Sequence, residues 1–409
     1  MRTYRQLFHA PEFTPLFATT AAHLAALTVQ GLALGTLVHR ATGSPLLTAL
    51  SMFGGSFAHA IGATLLMSAA DRLRPRAGLT AAPVVCAGAA LLLAVPGAPV
   101  WTALPLVLVT GLVGSVTGGL RWGLLLRILP ADGYVLGRSV LAVAGGATQV
   151  AGYAAGGLLV AAVSARGALL LSAALFLASA AVARLGLRDR PAPGGGRPSV
   201  RETWRVNRRL WSAAERRYVY LALWLPNGLV VGCEALFVPW SPEAAGVLFA
   251  ASAFGMLAGD VALGRFVPAA RRPALITPLR LLLAAPFLLF ALPAAWRLPL
   301  PLAAALVALA CTGFSASLLL QERLIALTPE EIRGQALGLQ AAGTMTMQAV
   351  GATLAGAAAQ WLPPGQAMGA MAAASLLISL ALTPGLVRPP RTPPTPDRSR
   401  SAADRRPAS

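Results

Sequence analysis

The apolar stretch NGLVVGCEALFVPW, residues 227–240, contains one acidic residue, Glu234. The earlier stretch QGLALGTLVH, residues 30–39, has the same order of an amide residue, Gly-Leu and a second glycine. The two align without a gap at an offset of 197 residues (227 minus 30), and Leu37 occupies the position of the acid. The agreement indicates that the chain contains an internal duplication, and this duplication decides the fold.

Two further segments repeat in the same order and at nearly the same offset. The matched pairs are Gly62 with Gly255, Arg72 with Arg265 and Pro75 with Pro268, at an offset of 193, and Pro130 with Pro329, Gln149 with Gln348, Gly152 with Gly351 and Gly157 with Gly356, at an offset of 199. Three ordered matches are hard to produce by chance. They predict two halves of six helices each, and because six is even, both halves have the same orientation, which is a parallel repeat.

The composition is that of a membrane protein. The 409 residues are 56% hydrophobic and 11% charged, which lies outside the usual range of soluble domains. A helix needs about 20 apolar residues to cross a bilayer. The chain offers twelve such stretches, near residues 13–38, 45–69, 77–95, 101–126, 136–163, 168–187, 218–240, 245–264, 274–292, 299–320, 334–362 and 367–387. Because these runs are continuous rather than alternating, we predict an all-α polytopic membrane protein with twelve transmembrane helices in two parallel-repeat six-helix bundles.

The distribution of basic residues along the chain indicates the membrane topology. The net charge is +19, and all 33 basic residues are arginine. If both termini are cytoplasmic, the cytoplasmic loops and tails hold 29 arginines, the opposite loops hold three, Arg40, Arg166 and Arg297, and Arg280 lies within the ninth predicted helix. This is the positive-inside distribution. It predicts a multi-pass protein of the plasma membrane with both termini in the cytoplasm, and it explains the charge without a nucleic-acid partner.

The repeat and the composition predict four segments. Residues 1–187 form the first six-helix bundle, residues 218–387 form the second, and residues 388–409, rich in proline, arginine and serine, form a disordered cytoplasmic tail. Residues 188–217 are a cytoplasmic linker in which a Pro/Gly-rich hinge precedes an amphipathic helix. That helix is suited to lie on the anionic inner leaflet as a tether between the bundles. The alternative is a regulatory target for another protein.

A parallel repeat of six and six helices with a long basic central loop resembles the major facilitator superfamily. The loop ADRLRPR, residues 70–76, resembles the family's Gly-x-x-x-Asp-Arg-x-Gly-Arg-Arg loop. It keeps Asp71, Arg72 and Arg76, but neither glycine is present. The segment LTPEEIRGQALGLQ, residues 327–340, resembles the turn before helix eleven in the proton-coupled drug- and macrolide-efflux branch. The resemblance covers about residues 5–387.

The resemblance implies a latch between the halves on the cytoplasmic side. In the family the loop aspartate packs near the cytoplasmic end of helix eleven. Asp71 would therefore face the turn around Gln335, close to a helix N-terminus that favours negative charge, with Arg72 and Arg76 in the same gating loop. The alternative is that Asp71 only neutralises an arginine of its own solvated loop.

The residue types exclude several kinds of chemistry. Without lysine the chain has no P-loop lysine and forms no Schiff base. Its four histidines lack a metal-binding spacing, and its three cysteines, Cys86, Cys233 and Cys311, lie in predicted helices as apolar packing residues. We therefore predict that the protein is not an enzyme and has neither a metal nor another cofactor.

One face of the seventh predicted helix carries polar and aromatic residues. The residues that share it at helical spacing are Tyr220, Trp224, Asn227 and Glu234. The resemblance implies that helices one, four, seven and ten line a central cavity, and the first three of these residues are predicted to bind substrate there. A carboxylate within a membrane normally faces a cavity or a partner, so Glu234 is predicted to carry the coupled proton. The alternative is a glutamate that is solvated near the outer surface or paired with a helix end.

The first predicted helix repeats this face with His23 and Gln30, which are also predicted to bind substrate across the cavity. Gln149 and Gln348 are a repeat pair. Either they hydrogen-bond the substrate or they bond across helices, and the sequence supports both readings equally.

Three charged residues near helix ends are predicted to take part in gating. Arg121 ends the fourth predicted helix, and Asp260 lies near the inner end of the eighth. Glu322 follows the tenth helix and adjoins Arg323, so it fits either a cytoplasmic gate or a structural ion pair.

These features predict a secondary active transporter that works by alternating access. Aromatic and amide side chains with one acid suit a lipophilic or cationic small molecule, and the leading prediction is efflux in exchange for protons. An uptake permease for a small polar nutrient is the runner-up, and a non-transporting receptor or scaffold on the same fold is the third reading. We expect a monomer whose partners are the small-molecule substrate, the proton and the lipid bilayer.

Overall fold

The computed structural model describes residues 4–65, 73–97, 99–192, 200–292 and 298–387, and every regular element in these ranges is helical. We number the twelve long helical segments α1 to α12. In chain order they are α1 (Phe13–Thr42), α2 (Pro45–Leu65), α3 (Pro75–Ala94), α4 (Ala103–Ile128), α5 (Ala131–Ala162), α6 (Ala165–Gly186), α7 (Ala214–Ala235, extended by Phe237–Trp240), α8 (Ala245–Phe266), α9 (Arg272–Ala284, extended by the 3-10 turn Ala285–Ala291), α10 (Leu300–Thr312 and Ala316–Ala326), α11 (Arg333–Ala358) and α12 (Pro364–Val387). A short helix, Tyr4–Phe8, precedes α1, and the linker helix, Val200–Ser212, lies between α6 and α7.

The helices form because the sequence leaves apolar runs uninterrupted over the thickness of a bilayer. Ten of the described spans are apolar and long enough to cross a membrane by length and composition alone. Large apolar side chains such as Leu92, Leu158 and Leu377 are exposed on the outer surface of the molecule. Extensive exposed apolar surface marks a contact region, as expected of helices that are long enough to cross a bilayer.

The described helices form two bundles with the same internal neighbours. In the first bundle α1 packs on α5 and α6, α2 packs on α4, and α3 packs on α6. In the second bundle α7 packs on α11 and α12, α8 packs on α10, and α9 packs on α12. Each pair in the first bundle recurs six helices later, so the predicted parallel repeat of six-helix bundles is confirmed.

The most extensive contacts between the bundles are those of α2 with α11 and of α5 with α8. We call the side on which α1 begins and α12 ends the terminal face, and the other side the distal face. Near the distal face, a Cβ added to Gly157 of α5 would fall 2.8 Å from the Cα of Gly246 on α8. A Cβ added to its repeat partner Gly356 on α11 would fall 2.8 Å from the Cα of Leu46 on α2. A repeat pair of glycines thus lets the bundles approach backbone to backbone near the distal face.

The beginning of the linker is held on the first bundle by Glu12, the residue before α1. Its carboxylate accepts a hydrogen bond from each terminal nitrogen of Arg190, one at 2.8 Å, and from the backbone N–H of Arg188 at 3.0 Å. Burial by itself would raise the pKa of Glu12, but its bonds to Arg190 and Arg188 together outweigh burial and lower that pKa below its ordinary value. Arg74 adds an ion pair with Asp189 at 3.1 Å.

The linker helix packs on the second bundle. Gln335 of α11 donates a hydrogen bond to Asn207 Oδ1 at 3.0 Å. Arg216, in the first turn of α7, donates to the carbonyl oxygens of Leu210 and Arg209 in the linker helix at 3.0 and 2.8 Å. The two ends of the linker are therefore attached to different bundles, as a tether requires. The expected contact of this helix with the inner leaflet stays a prediction, and the predicted disordered tail lies outside the described residues.

Candidate substrate and proton sites

The predicted face of α7 packs on α11 of the same bundle. The Tyr220 hydroxyl donates to the carbonyl oxygen of Ala336 at 3.3 Å, and Trp224 Nε1 donates to that of Gln340 at 3.0 Å. The Trp211 ring of the linker helix stacks on the Trp224 ring, with centroids 5.7 Å apart. Tyr220 is fully buried. This part of the face is therefore covered by α11 and by the linker helix, whereas the sequence led us to expect it to be open toward α1.

Further along α7, Asn227 meets Gln348 of α11. Gln348 Nε2 donates to Asn227 Oδ1 at 3.1 Å. The helices approach this closely because both carry glycine at the contact, where a Cβ on Gly232 would lie 2.6 Å from the carbonyl oxygen of Gly351. The structure thus joins two predicted substrate residues in one cross-helix bond. Gln149, the repeat partner of Gln348, lies half-buried on α5.

Glu234 lies near the distal end of α7, in the core of the second bundle, and is 8% exposed. Ser252 Oγ of α8 donates to Glu234 Oε1 at 2.5 Å, and Cys311 Sγ of α10 lies 3.5 Å from the same oxygen. The Cys311 sulfur and the Ser252 oxygen are 3.3 Å apart. In the part of the chain that the structure describes, no cation faces this carboxylate. The acid is therefore contacted by neutral groups from two other helices, α8 and α10.

The Glu234 site adjoins the contact between the bundles. Ser252 is three residues from Phe249 on α8, and the Phe249 ring stacks on the Tyr153 ring of α5 with centroids 4.9 Å apart. Phe249 also meets Phe237 edge to face at 5.0 Å. A movement of α8 that separates it from α5 would therefore also move the hydroxyl group that binds the acid.

The predicted substrate residues of α1 lie inside the first bundle. His23 is 6% exposed, and its ring meets the Phe176 ring of α6 edge to face at 5.2 Å. His23 and Arg121 line the same small crevice. Gln30 is also buried. The structure thus brings His23 to Arg121, which was predicted to act in gating, while Tyr220, the repeat partner of His23, is enclosed in the other bundle.

The predicted gating residues do not form one cluster. Asp71 and Arg72 lie outside the described residues, so the latch stays a prediction. Arg76 is partly buried in the first turn of α3. Arg272 Nη1 donates to Glu322 Oε1 at 2.7 Å. Because this pair joins α9 to α10, it lies within the second bundle, and the gating role of Glu322 stays a prediction.

Two more charged residues belong to the second bundle. Asp260 is exposed on α8. Arg280 of α9 is 1% exposed, and its guanidinium nitrogens have no hydrogen-bond partner among the described residues. The same ranges contain no group of three or more histidine, cysteine, aspartate or glutamate residues that could hold a metal ion.

The residues around Glu234 were not predicted. From the sequence, Cys311 is expected only to pack, and Ser252 has no distinguishing motif. Each stands on a different helix, so no local spacing connects them to the acid. The one available signal was the presence of a hydroxyl residue within an apolar helix.

Comparison with solved structures identifies the fold. The chain superposes on the peptide transporter POT in complex with sulfate with a TM-score of 0.71 at 13% identity, covering 94% of this chain and 98% of that one. For a POT family transporter in complex with 5-aminolevulinic acid the TM-score is 0.72 at 11% identity, covering 92% and 96%. For the nucleoside transporter NupG it is 0.70 at 13% identity, covering 91% and 99%. No protein-family model and no curated protein matches the sequence.

The likeness extends over nearly the whole length of each of these chains. The fold is therefore of the major facilitator type: an all-α polytopic membrane protein whose described residues form twelve long helical segments in two six-helix bundles. The fold class predicted from the internal repeat is confirmed.

Proposed function

We propose that the protein is a secondary active transporter that exports a lipophilic or cationic small molecule in exchange for protons by alternating access. The observation that carries the proposal is Glu234, a buried carboxylate that contacts Ser252 and Cys311 and faces no cation in the described ranges. A group that exists in a neutral and a charged form, in a site without a fixed counter-charge, is suited to take up and release a proton.

The two-bundle architecture supports the transport step. The structures that it resembles are those of transporters. The arginine distribution favours a cytoplasmic terminal face, so the contacts of Gly157 with Gly246 and of Gly356 with Leu46 would close the protein on its outer side. Breaking these contacts while the terminal ends of the bundles come together would produce the opposite state, by rigid-body movement of two domains.

The side chains between α7 and α11 support the substrate class. Trp224 is only partly buried and stacks with Trp211. About one turn further along α7, the neutral amide of Asn227 bonds that of Gln348 on α11. Aromatic rings offer apolar contact area, and their faces attract cations. These rings and amides carry no fixed positive charge, so they offer an anionic substrate no ion pair.

An uptake permease for a small polar nutrient is the second candidate. It is favoured by the comparisons, which include peptide transporters and a nucleoside transporter. In that case Glu234 would couple proton entry to substrate entry, and the direction of flux relative to the proton gradient would be reversed.

Flux in proteoliposomes tests the proposal. The purified full chain would be reconstituted, a pH gradient imposed, and the movement of four probes followed: ethidium, a macrolide, a dipeptide and a nucleoside. We expect ethidium or the macrolide to accumulate on the side from which protons leave. Glu234→Gln preserves shape and hydrogen bonding but cannot titrate, so its pH-driven accumulation should fall to the background of empty vesicles.

Glu243→Gln is the matched control, because Glu243 is exposed in the turn before α8, and it should transport like the wild type. If Glu234→Gln still concentrates ethidium or the macrolide against a gradient, Glu234 does not carry the coupled proton. Proton-driven entry of the dipeptide or the nucleoside would favour the uptake permease, and no gradient-dependent flux of any probe would count against transport.

A further inference from the structure

A small crevice lies inside the first bundle, in the half nearer the terminal face. Residues of α1, α3, α4 and α6 enclose it. Its polar lining consists of Thr19, Thr20, His23, Thr117, Arg121 and Ser179, and no acidic side chain lines it. The crevice is therefore separate from Glu234 and from the α7–α11 region proposed to bind substrate.

Three polar side-chain groups that line the crevice are unpaired within the residues that the structure describes. Thr19 Oγ1 and His23 Nδ1 are buried without a hydrogen-bond partner, and these residues are 4% and 6% exposed. The Arg121 guanidinium faces no carboxylate in the described ranges. By contrast, the hydroxyl groups of Thr20 and Ser179 donate to backbone carbonyl oxygens. A hydroxyl, an imidazole nitrogen that can carry a proton and a guanidinium are thus available as donors at one place.

Such groups indicate that the ligand of this crevice is an anion. A buried donor that is left unpaired destabilises the folded state, and buried polar groups therefore almost always have a partner. A cation with several N–H donors and no acid beside it binds anions through charge-assisted hydrogen bonds. The edge-to-face contact with Phe176 limits the rotation of the His23 ring, so its nitrogen is held in the crevice.

The size of the crevice selects the class of anion. Its volume is about 10 Å³, on a scale where one water molecule needs roughly 10–15 Å³. An organic carboxylate or a phosphate does not fit this space, whereas a single atom does with a small displacement of the lining. We propose that the crevice binds one inorganic anion of halide size, held by Arg121, His23 and Thr19, and that this anion stabilises the first bundle.

The second bundle fills the equivalent place with its own side chains. Tyr220 is the repeat partner of His23, at an offset of 197, and Leu320 is the repeat partner of Arg121, at an offset of 199. They are 0% and 1% exposed. The anion site therefore belongs to the first bundle alone and is not a feature that the duplication imposes.

Thermal unfolding of the purified full chain in detergent tests the proposal. At fixed pH and ionic strength, replacing gluconate by chloride or bromide should raise the Tm, and the rise should saturate with halide concentration because the ligand binds only the folded state. Arg121→Gln should abolish this rise. Arg127→Gln is the matched control, because it removes the same charge from the same helix at an exposed residue that bonds the carbonyl oxygen of Pro191, and it should keep the full rise.

Crystals soaked in bromide should also show an anomalous peak beside the Arg121 guanidinium. Equal Tm values in chloride and gluconate would overturn the proposal. So would a halide-dependent rise that persists undiminished in Arg121→Gln, since a general salt effect acts on both proteins. If Arg121→Gln does not fold, Thr19→Val decides instead: it should weaken the rise, whereas Thr36→Val, at a hydroxyl bonded to the α1 backbone, should not.

Discussion

The first and seventh helices carry the same glycine pattern, but only α7 uses it for a backbone contact. A Cβ added to Gly31 of α1 would meet no atom within 4 Å, and one added to Gly35 would meet only the flexible side chain of Met52. A Cβ added to Gly228 of α7 would collide with the carbonyl oxygen of Met347 on α11. The repetition of a sequence pattern therefore does not imply the repetition of its packing.

In the first bundle the corresponding contact is between α1 and α5, and its small residues belong to α5. Gly152 and Gly156 of α5 lie against Thr28 and Val29 of α1, where α1 presents larger side chains. The repeat partner of Gly152 is Gly351, and there both helices contribute glycine, so α7 and α11 approach more closely. The tighter helix pair belongs to the bundle that carries the buried acid, and it fixes one side of that acid's helix.

The largest effect expected from this difference is that of Gly351→Ala. Its Cβ would lie against the carbonyl oxygen of Gly228, and because neither backbone can move aside easily, stability should fall by about 3 kcal/mol. Gly31→Ala places a methyl group in open space and should be neutral or slightly stabilising, since alanine favours a helix. The Tm and the folded yield of the two purified variants measure the contrast. Equal losses in both would show that α1 and α7 are packed alike.

The second contrast concerns buried serine hydroxyls. Ser252→Ala removes a hydrogen-bond donor from the Glu234 carboxylate and should lower stability by about 2 kcal/mol, within the range for leaving a buried polar group unsatisfied. Ser51→Ala in the first bundle is the control, because this hydroxyl only donates to the carbonyl oxygen of Thr48 in its own helix. Its Tm should stay close to that of the wild type. A larger loss in Ser51→Ala than in Ser252→Ala would contradict the assigned contact.

The third contrast concerns the charged attachment of the linker to the first bundle. Glu12→Gln weakens the bonds to Arg188 and Arg190 and should lower stability by about 1.5 kcal/mol at neutral pH. Because the folded state lowers the pKa of Glu12, the stabilisation is complete above the ordinary glutamate pKa of about 4.3 and is lost as the pH falls through the lower folded value. The Tm difference between wild type and variant should therefore shrink in acid. If the Tm difference does not change below pH ~4, the Glu12 carboxylate is not the source of the stabilisation.

The smallest effect is expected for the aromatic attachment of the linker to the second bundle. Trp211→Leu removes the stacking on Trp224 and Tyr220 and should lower stability by about 1 kcal/mol, the usual value of an aromatic pair. Trp204→Leu is the control, because Trp204 is 72% exposed. Hydrogen exchange of the linker-helix amides should become faster only in Trp211→Leu. If both variants exchange like the wild type, the linker helix is held by its polar bonds and not by this ring.

Local properties of the sequence were sufficient to predict the architecture. The length of the apolar runs determines helices that cross a membrane, because backbone groups must be satisfied within the helix in lipid. The matched residues of the two halves, such as Gln149 with Gln348 and Gly157 with Gly356, predicted the parallel repeat, and the structure confirms it through helix neighbours that recur in both bundles. The orientation of that architecture in the membrane is still a prediction from the arginines.

The candidate site could be predicted only in part. A single acid in an apolar run is conspicuous, so the sequence alone selects Glu234 as a candidate. Helical spacing places Trp224 and Asn227 on one face of α7, and both side chains bond α11. Spacing did not reveal that this face lies on α11 of the same bundle, or that Trp211 covers it. Periodicity defines which residues share a face, but it carries no information about which helix that face meets.

By itself, then, the sequence determined the helices, their number and their duplication, because these follow from composition and order along the chain. Only the tertiary structure decided that Ser252 and Cys311 contact Glu234 and that His23 and Arg121 line one crevice. It also decided that the glycines of α7 make a close backbone contact whereas those of α1 do not. Each of these depends on how closely two backbones approach. That distance is set by small side chains on helices remote in sequence, and a repeat can keep its pattern while its neighbours change.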